Sequence, residues 1–375
     1  MKKKITIVSA DDILPYQPSI LNLYDLLAEK FDVSIISFEP EYLGNQKTAN
    51  RDVVYIQTPS KKRKFFRLFD LMVNAPLKRI DKYLFRFSYR LQLVRRYREK
   101  LLRAALRQVQ ADIFIAVDPM PLYAVQQEKG AAHFLSLEII PGDPYFKKVR
   151  KDLILSVIIQ NQYRSEYLFK KSTIKTFYIP NAPFLKDRVL NTGPREHLLW
   201  AGTVVEQFGI FRCFDFIKAC PQYKLYCKGG VEQKTKKIID EKYADLLKNG
   251  NVVIDDRYLS SEEFVKYLSR FKTGFCFYDL DLVKRNFNYA TAPSGKLFMY
   301  LAAGVPVVAC NIPAFKFIEE AGAGILIDDY TPETIRAAVQ KIELDPGRYS
   351  RNCYRVFEEN AFDRNAAGFI DFLSL

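Results

Sequence analysis

Short strand-like apolar runs alternate with amphipathic helical stretches along most of this 375-residue chain. In the N-terminal half, "KITIVS" at 4–9 and "DVSIISF" at 32–38 flank the helical stretch "SILNLYDLLAEKF". The pattern returns with "ADIFIAVD" at 111–118 and "AAHFLSLEII" at 131–140. Such alternation is typical of a parallel sheet with helices on both faces. The N-terminal half therefore predicts an α/β domain, and a chain of this length is too long for one ordinary core.

A second alternation follows the prolines of "TFYIPNAPF" at 176–184, which we interpret as a domain boundary. Its strand-like runs are "HLLWAG", "YKLYCKGG", "NVVIDD", "TGFCFYD", "PVVAC" and "GILIDD". Ser260 or Ser261 with Glu263 predicts a capped helix start, and Thr331 before Pro332 predicts another. We therefore expect two doubly wound domains, residues 1–180 and 181–360, with a helix at about 361–375 that packs back on the first. Ligands of such sheets bind beyond the carboxyl ends of the strands.

The positive charge is concentrated in one segment. The net charge is +14, yet residues 61–110 alone hold 16 Lys and Arg against three acids. Aromatic and leucine side chains alternate there with basic ones at near-helical spacing, as in Phe65, Phe69 and Phe87. This composition favours a helix at a membrane surface, where anionic lipid attracts Lys and Arg. The alternative is a long helix of the α/β domain with a solvated basic face. Nucleic acid is a weaker alternative, because the segment is too apolar and no nucleic-acid module is recognisable.

Metal and disulfide chemistry are not expected. The six cysteines form no C-x-x-C pair, and His133 and His197 are the only histidines. This cysteine usage fits a reducing cytoplasm. His133 precedes the apolar core of its strand, so we expect it to be structural. The apolar runs are too short to span a membrane, and "MKKKITIVSADD" is interpreted as a first strand rather than a signal peptide.

The stretch "APSGKLFMYLAAGVPVVAC" at 292–310 contains an unexpected lysine. Its apolar run predicts a helix that begins near Pro293, Ser294 and Gly295 and places Lys296 in the first turn. A cation there opposes the helix dipole, which favours negative charge at this end. Lys296 is therefore either a solvated lysine with a small unfavourable contribution or a partner for a bound anion.

Several stretches together resemble the GT-B nucleotide-sugar glycosyltransferases. "PSGKLFMYLAAGVPVVA" followed by "FIEEAGAGILID" resembles their donor-binding half, in the family 4-like group that builds bacterial surface polysaccharides. "LLWAGTVVEQFGI" resembles the loop that opens the donor domain, and "NVVIDDRYLSSEEF" resembles its strand and base-binding loop. "IIQNQYRSEYLF" and "YIPNAP" resemble the end of the acceptor domain and the linker. The resemblance implies two Rossmann-like domains facing each other across a cleft, a nucleotide-sugar donor and no metal at the diphosphate.

The resemblance also implies the donor-site residues. A helix start with free backbone N–H groups binds phosphate, so a diphosphate there gives Lys296 a partner. Ser294 supplies a hydroxyl, and Gly295 lets the backbone come close. The other implied residues are Pro293 at the helix start, Lys228 at a neighbouring strand end, Gly202 and Thr203 on the other side, and Arg257 and Tyr258 at the base. The alternative for Arg257 and Tyr258 is a loop facing water. Gly304 is expected to end the helix rather than bind ligand.

Two positions depart from the pattern. Many retaining members carry two glutamates eight positions apart, and the matching residues here are Thr291 and Met299, which have no carboxylate to bind ribose. The chain could therefore retain or invert, and inversion needs a general base on the acceptor hydroxyl. The candidates follow acceptor-domain strands: Glu138 first, then Asp11 or Asp12, and Asp118. Each of them could instead cap a loop.

The sequence thus predicts a cytoplasmic glycosyltransferase, peripherally bound to the inner membrane face, that adds a sugar to a hydroxyl of a lipid-linked glycan. Three alternatives remain open. A nucleotide-sugar epimerase of the same fold is disfavoured by the scarcity of histidine. A non-catalytic partner of a glycosyltransferase is favoured by the missing glutamates. A purely lipid-binding protein would make the phosphate-site pattern accidental.

Overall fold

The computed structural model describes residues 2–40, 48, 50–59, 89–170 and 172–375. The chain divides into two compact units. Unit 1 comprises Met1–Ile159, Ser165–Tyr178 and Phe372–Leu375, and unit 2 comprises Gln160–Arg164 and Ile179–Asp371. Most of the predicted basic segment, residues 60–88, lies outside the described residues.

The sheet of unit 1 is parallel throughout the described strands. They are β1 (Lys4–Val8), β2 (Asp32–Phe38), β3 (Val53–Ile56), β4 (Ile113–Val117), β5 (Ala132–Ser136), β6 (Ile154–Ile159) and β7 (Thr176–Tyr178). They lie in the order β3-β2-β1-β4-β5-β6-β7. In the register, Ile7 of β1 faces Ile35 on one side and Ile115 on the other. The order reverses between β1 and β4, so a ligand is expected beyond the carboxyl ends of those two strands.

The sheet of unit 2 repeats this design. Its described strands are β8 (Glu196–Ala201), β9 (Leu225–Lys228), β10 (Val252–Asp255), β11 (Phe271–Cys276), β12 (Val307–Cys310) and β13 (Gly324–Ile327). They lie parallel in the order β10-β9-β8-β11-β12-β13, with the reversal between β8 and β11. The strands alternate their side chains between two buried clusters, with Leu199 and Ala201 on one face and Leu198 and Trp200 on the other. Both faces are therefore covered, as a parallel sheet requires.

Helices connect the strands in both units. Those described are α1 (Pro18–Lys30), α2 (Tyr89–Gln108), α3 (Pro119–Glu128), α4 (Gln162–Phe169), α5 (Ile210–Ala219), α6 (Gln233–Lys242), α7 (Ala244–Lys248), α8 (Ser261–Leu268), α9 (Leu280–Arg285), α10 (Phe287–Thr291), α11 (Gly295–Ala302), α12 (Lys316–Glu320), α13 (Pro332–Glu343), α14 (Pro346–Asn360) and α15 (Phe362–Ser374). Helix α1 shows the pattern that the sequence predicts, because Ile20, Leu23 and Leu27 are buried on one face. Near its end, α15 places Phe372 of unit 1 against His133 and Phe177.

The predicted helix starts and stops are confirmed. Ser260 and Glu263 form a reciprocal capping box before α8, and the Thr331 hydroxyl accepts the Thr334 N–H before α13. Helix α11 begins at Gly295, so Lys296 lies in its first turn. Gly304 follows its end at φ +63, where a Cβ would overlap the Tyr354 ring. Glycine is therefore needed to end α11.

Four arginines of the basic helix α2 are paired with acids within unit 1. Arg95 binds Asp143 at 2.7 Å, Arg98 binds Asp12, and Arg103 and Arg107 bind Glu128 at 2.6 and 2.9 Å. These guanidinium groups hold the pKa of Glu128 down at about 2. Residues 89–108 thus form a helix that is packed into the α/β unit, and contact of the basic segment with a membrane stays a prediction. In the parts of the chain that the structure describes, no helix has the length and apolarity needed to cross a membrane.

Candidate functional site

The reversal point of the unit 2 sheet holds Lys296. Its ammonium group lies 4.4 Å from the ring centre of Trp200, 5.3 Å from that of Phe208 and 5.5 Å from that of Tyr278. We refer to these three rings as the aromatic cage. Trp200 belongs to β8, Phe208 to the turn after it, and Tyr278 follows the end of β11. Cation–π attraction therefore holds the ammonium at the place where the fold puts a ligand.

No carboxylate among the described residues lies within ion-pair distance of Lys296. The ammonium instead acts on buried thiols, where its charge opposes the rise that burial causes in the pKa of Cys213 and Cys276. All six cysteines are buried and free. The start of α11 adds backbone N–H groups without intrahelical acceptors and the positive end of the helix dipole. The site thus gathers positive charge that an anion can compensate.

Ser294 occupies the capping position of α11 but does not cap it. Its hydroxyl hydrogen-bonds with the Tyr278 phenol, whose pKa is raised by burial. Gly295 packs closely against Asn181, and an added Cβ would lie 3.1 Å from Asn181 Nδ2. The half-buried Pro293 precedes them. The structure therefore brings Pro293, Ser294 and Gly295 together with Lys296, as a helix start requires.

The turn after β8 completes this side of the site. Gly202 adopts φ +104, a conformation that favours glycine, and a Cβ there would lie 3.8 Å from Cδ of Lys296. A Cβ on Gly229, which adopts φ +151, would overlap the Gly202 carbonyl. The Trp200 indole donates to the carbonyl of the exposed Thr203 at 3.4 Å. Gly202 thus lies beside Lys296 and Thr203 is joined to the ring of Trp200, while their contact with the donor stays a prediction.

Lys228, expected to approach the phosphate, is committed elsewhere. Its side chain is only 2% exposed, its ammonium lies 3.0 Å from Asp255, and it donates to the carbonyl of Arg257. Arg257 binds the same carboxylate through two N–H groups at 2.8 and 2.9 Å, and this holds the pKa of Asp255 well below its usual range. The charge of Lys228 is therefore used to join the ends of β9 and β10. The Arg257 side chain is 81% exposed, and Tyr258 is also exposed.

Thr291, one of the two residues at the glutamate positions, is engaged within the protein. It is buried, its hydroxyl donates to the Phe287 carbonyl at 2.7 Å, and it accepts from the fully buried Arg164 at 3.1 Å. Met299 is half-buried and packs against the hydrophobic core of unit 2. Neither side chain has a carboxylate that could bind the ribose hydroxyls.

Unit 1 has its own candidate site at the reversal of its sheet. Asp11 follows β1, Asp118 follows β4 and Glu138 follows β5, and all three line a cavity of about 260 Å³. Arg95 and Arg98 of α2 contribute to the same wall. We refer to this space as the carboxylate cavity. Because the carboxyl ends of parallel strands meet at one edge, residues far apart in the sequence converge here.

Asp118 is the most constrained of these acids. It adopts φ +64, which is unfavourable for a residue with a side chain. Its Oδ1 accepts the backbone N–H groups of Leu137 and Glu138 at 2.8 and 2.9 Å. Burial, and then the charge of Asp11, raise the pKa of Asp118 well above its usual value. Strain of this kind is concentrated at functional sites.

The other two aspartates differ in their environment. Burial raises the pKa of Asp11, although a hydrogen bond from Gln17 at 2.6 Å and the charge of Arg98 oppose the shift. Asp12 is instead paired with Arg98 and does not line the carboxylate cavity. The structure therefore does not bring Asp12 to the site with the others. Glu138 is exposed at its rim.

The sequence did not indicate several residues of these sites. Trp200 and Phe208 lie in the stretch that resembles the opening loop of the donor domain and Tyr278 lies in a predicted strand, but none of the three was singled out, and neither was Arg98. The single tryptophan of the sequence, inside that stretch, was an available signal for the cage. His133 is structural as expected: it is buried in β5, and its Nδ1 lies 2.8 Å from Ser156 Oγ.

The described residues contain no group of His, Cys, Asp and Glu side chains arranged to bind a metal ion. No family model and no curated protein matches the sequence. Similarity appears at the level of three-dimensional structure.

Three solved structures illustrate that similarity. An Escherichia coli trehalose-6-phosphate protein bound with UDP-2-fluoro glucose superposes with a TM-score of 0.71 at 10% identity, covering 99% of this chain and 98% of that one. A UDP-forming α,α-trehalose-phosphate synthase from Burkholderia vietnamiensis gives 0.66 at 10% identity and covers all of both chains. Anabaena HepE in complex with UDP gives 0.67 at 10% identity, again over all of both chains. Together with the two sheet topologies, these similarities show that the chain has the GT-B fold, with two Rossmann-like α/β domains in one polypeptide.

Proposed function

We propose that this chain is a glycosyltransferase that moves a hexosyl group from a nucleoside-diphosphate sugar to a hydroxyl of a glycan. One observation carries the proposal: the ammonium of Lys296 has no acidic partner in the described part of the chain and lies at the start of α11 beside the Gly202 turn. Two of the similar structures, from E. coli and Anabaena, hold UDP-2-fluoro glucose and UDP.

The donor diphosphate binds at the start of α11 in this proposal. Its oxygens accept the free N–H groups of the first turn and the ammonium of Lys296, while Gly202 and Gly295 let the backbone approach. Negative charge develops on the leaving nucleoside diphosphate during transfer, and positive groups already in place stabilise that charge most effectively. Lys296 and the helix dipole supply the charge that a metal ion would otherwise provide, so we propose a metal-independent reaction.

The nucleobase is assigned to the surface near Arg257 and Tyr258. Both are exposed and follow β10, and an open hollow of about 390 Å³ beside them is lined by Tyr226, Asp255, Arg257 and Tyr267. Aromatic rings and a guanidinium plane are suited to stacking against a flat base. Asp255 orients Arg257 through its paired hydrogen bonds.

The acceptor hydroxyl is assigned to the carboxylate cavity. We propose that Glu138, exposed at its rim, removes the proton from that hydroxyl as general base. Asp118 is a positioning residue, because its Oδ1 holds the Glu138 backbone N–H at 2.9 Å. The raised pKa of both Asp11 and Asp118 means that the two together bind protons more readily than ordinary aspartates. A protonated carboxyl there can donate a hydrogen bond to a sugar oxygen.

We further propose that the glycan is lipid-linked, that the enzyme works peripherally at the cytoplasmic membrane face, and that it serves bacterial surface polysaccharide synthesis. This part is supported by the basic and aromatic pattern of residues 61–88 in the sequence. On α2, Leu93, Arg96 and Lys100 are exposed and are available to such a surface.

A non-catalytic partner of a glycosyltransferase is the second candidate. It is favoured by Thr291, whose hydroxyl is engaged by Arg164 and the Phe287 carbonyl instead of facing a ribose. Such a partner would keep the fold and lose affinity for the donor.

Calorimetric titration of UDP, GDP, ADP, CDP and their sugar conjugates tests the proposal. We expect one nucleotide to bind and the Lys296→Ala variant to lose at least tenfold in affinity, about 1.4 kcal/mol, the lower end for a charged hydrogen bond. Lys316→Ala is the matched control, because Lys316 is an exposed lysine at the start of helix α12 in the same unit. Absence of binding by every nucleotide, or equal affinity in Lys296→Ala, overturns the donor site. If the donor binds but neither sugar transfer nor donor hydrolysis is detected, the protein is a non-catalytic partner of a glycosyltransferase.

A further inference from the structure

A second cavity adjoins the carboxylate cavity in unit 1. Its volume is about 200 Å³, and it shares Pro119, Glu138, Ile140 and Asp143 with its neighbour. Its other walls include Ser136 at the end of β5, Phe146, Lys147 and, on α4, Tyr167. We refer to it as the Ser136 cavity. Glu138 thus stands between two adjoining spaces.

Ser136 gives this cavity an unsatisfied polar group. The residue is 1% exposed, and its hydroxyl has no hydrogen-bond partner within the described structure. A buried polar group left without a partner costs roughly 1–3 kcal/mol, so native proteins rarely keep one without a reason. A ligand hydroxyl in the cavity supplies the missing partner.

The charges around the two cavities favour an uncharged ligand. Arg95 is neutralised by Asp143 at 2.7 Å, and Arg98 is paired with Asp12. Asp11, Asp118 and Glu138 place carboxyl groups in the described walls, and Lys147 is exposed in the Ser136 cavity. Because both arginines are already paired, the described walls offer a phosphate or uronate only the ammonium of Lys147 as an unpaired cation. A neutral polyhydroxyl compound finds acceptors in the carboxylates and a partner in Ser136.

The rings of Phe146 and Tyr167 add apolar walls to the Ser136 cavity. Phe146 is held in place by Phe134 and Phe169, with ring centres 6.3 and 5.7 Å away. A sugar ring has an apolar face of C–H groups and an edge of hydroxyls, so it suits a space with both aromatic and carboxylate walls. Either cavity alone is smaller than the about 300–1,000 Å³ typical of ligand pockets, whereas the two together fall within that range.

We propose that the two cavities bind two consecutive uncharged sugar units of the acceptor. The unit that receives the new sugar occupies the carboxylate cavity, and the unit before it occupies the Ser136 cavity. The proposal rests on the proposed function and specifies its acceptor: a disaccharide or longer neutral glycan, recognised on both sides of Glu138.

The test uses an array of neutral mono-, di- and trisaccharides, with uronic acid and phosphorylated glycans on the same array. We expect the full-length protein to bind at least one neutral disaccharide at least tenfold more strongly than its terminal monosaccharide. Ser136→Val, which replaces the hydroxyl with methyl groups, and Tyr167→Ala, which removes an exposed wall, should each reduce this disaccharide signal to the monosaccharide level.

Tyr163→Ala is the matched control. Tyr163 is an exposed tyrosine one turn earlier on α4 that lines neither cavity, so its removal should leave the glycan preference unchanged. Equal binding of mono- and disaccharides, a preference for charged glycans, absence of binding by every neutral glycan, or an unaltered preference in Tyr167→Ala overturns the proposal. Titration of the same preparations with UDP and the other nucleoside diphosphates distinguishes failure of the acceptor proposal from failure of the proposed function. If UDP binds and disaccharides show no advantage, the acceptor proposal alone fails. If no nucleotide binds, the proposed function fails.

Discussion

The ammonium group of Lys296 lies 4.4 Å from the ring centre of Trp200, the chain's only tryptophan. A buried indole thus reports directly on the residue that is proposed to bind the diphosphate. The attraction of a cation to a ring is about 0.5–2 kcal/mol, weaker than a charged hydrogen bond to phosphate of about 1.5–3 kcal/mol. A diphosphate at the start of α11 is therefore expected to draw the ammonium off the cage.

We predict from this relationship that the bound nucleoside diphosphate changes the fluorescence of Trp200. The change should saturate with the affinity measured by calorimetry, because both report the same site. It should be absent from Trp200→Phe and reduced in Lys296→Gln at nucleotide concentrations that saturate each variant. Saturating binding by calorimetry with no change in Trp200 emission contradicts this prediction.

Because the turn at Gly229 lies close to the turn at Gly202, we predict that alanine substitution destabilises the protein at Gly229 but not at Gly230. Gly229→Ala places a methyl group against the Gly202 carbonyl and forces a side chain into φ +151. We expect it to destabilise unit 2 by on the order of 1–3 kcal/mol and to weaken nucleotide binding, since the Gly202 turn must move. Gly230→Ala meets no atom within 4 Å and should stay within about 0.5 kcal/mol of the wild type. Urea unfolding monitored by Trp200 fluorescence measures both, and equal effects would show that the turns do not constrain each other.

The two hydrogen bonds that Asp118 accepts predict that Asp118→Asn and Asp118→Ala differ in stability and in kcat. Asp118→Asn keeps the acceptor oxygen for the Leu137 and Glu138 N–H groups, whereas Asp118→Ala removes it and keeps an unfavourable φ of +64. We expect the alanine variant to lose about 1–3 kcal/mol of stability and most of kcat, because Glu138 is no longer held. The asparagine variant should retain most of its stability and most of its kcat, with the KM for the donor unchanged. If asparagine damages kcat as severely as alanine, the charge of Asp118 matters rather than its positioning role.

The buried His133 predicts a component of acid sensitivity. Burial lowers the pKa of His133 to about 4 from its ordinary value of 6.5. His133 is therefore protonated below pH 6.5 in the unfolded chain but only below about pH 4 in the folded chain. Stability from this residue is complete above pH 6.5, falls by up to about 1.4 kcal/mol per pH unit between these values, and falls no further below them.

Replacement of His133 tests this component. His133→Asn should reduce the pH dependence of the free energy of unfolding between pH 6.5 and 4, as measured by urea unfolding with circular dichroism. His197→Asn is the control, because His197 is much more exposed and lies in unit 2. An identical pH slope in wild type and His133→Asn would mean that His133 is protonated equally in the folded and unfolded chains.

Local sequence signals predicted the elements well for a physical reason. The predicted strand at 32–38 forms β2 over those residues, and Ser260 with Glu263 forms its capping box. Both depend on the period of the side chains or on residues within one turn, so neighbouring positions contain the information. The same holds for Lys296, since its place in the first turn of α11 follows from the residues beside it.

Contacts between distant segments were not predictable in this way. The sequence showed basic residues on α2 but not that Arg95 and Arg98 bind Asp143 and Asp12, because each pair depends on how α2 packs against the sheet. Lys228 looked available for phosphate until β10 placed Asp255 beside it. In both cases a charge that looks free in the sequence is neutralised by a residue from another element.

The sequence by itself thus determined two parallel α/β units, the start of α11 and the acids that follow the strands. Only the tertiary structure decided which of these groups meet. Trp200, Phe208 and Tyr278 surround Lys296 because the strand order reverses between β8 and β11, and Asp11, Asp118 and Glu138 share a cavity because β1, β4 and β5 are neighbours. Strand order is set by the burial of whole sheet faces and helix faces. No short stretch of sequence encodes that, so the chemistry of both sites emerges with the fold.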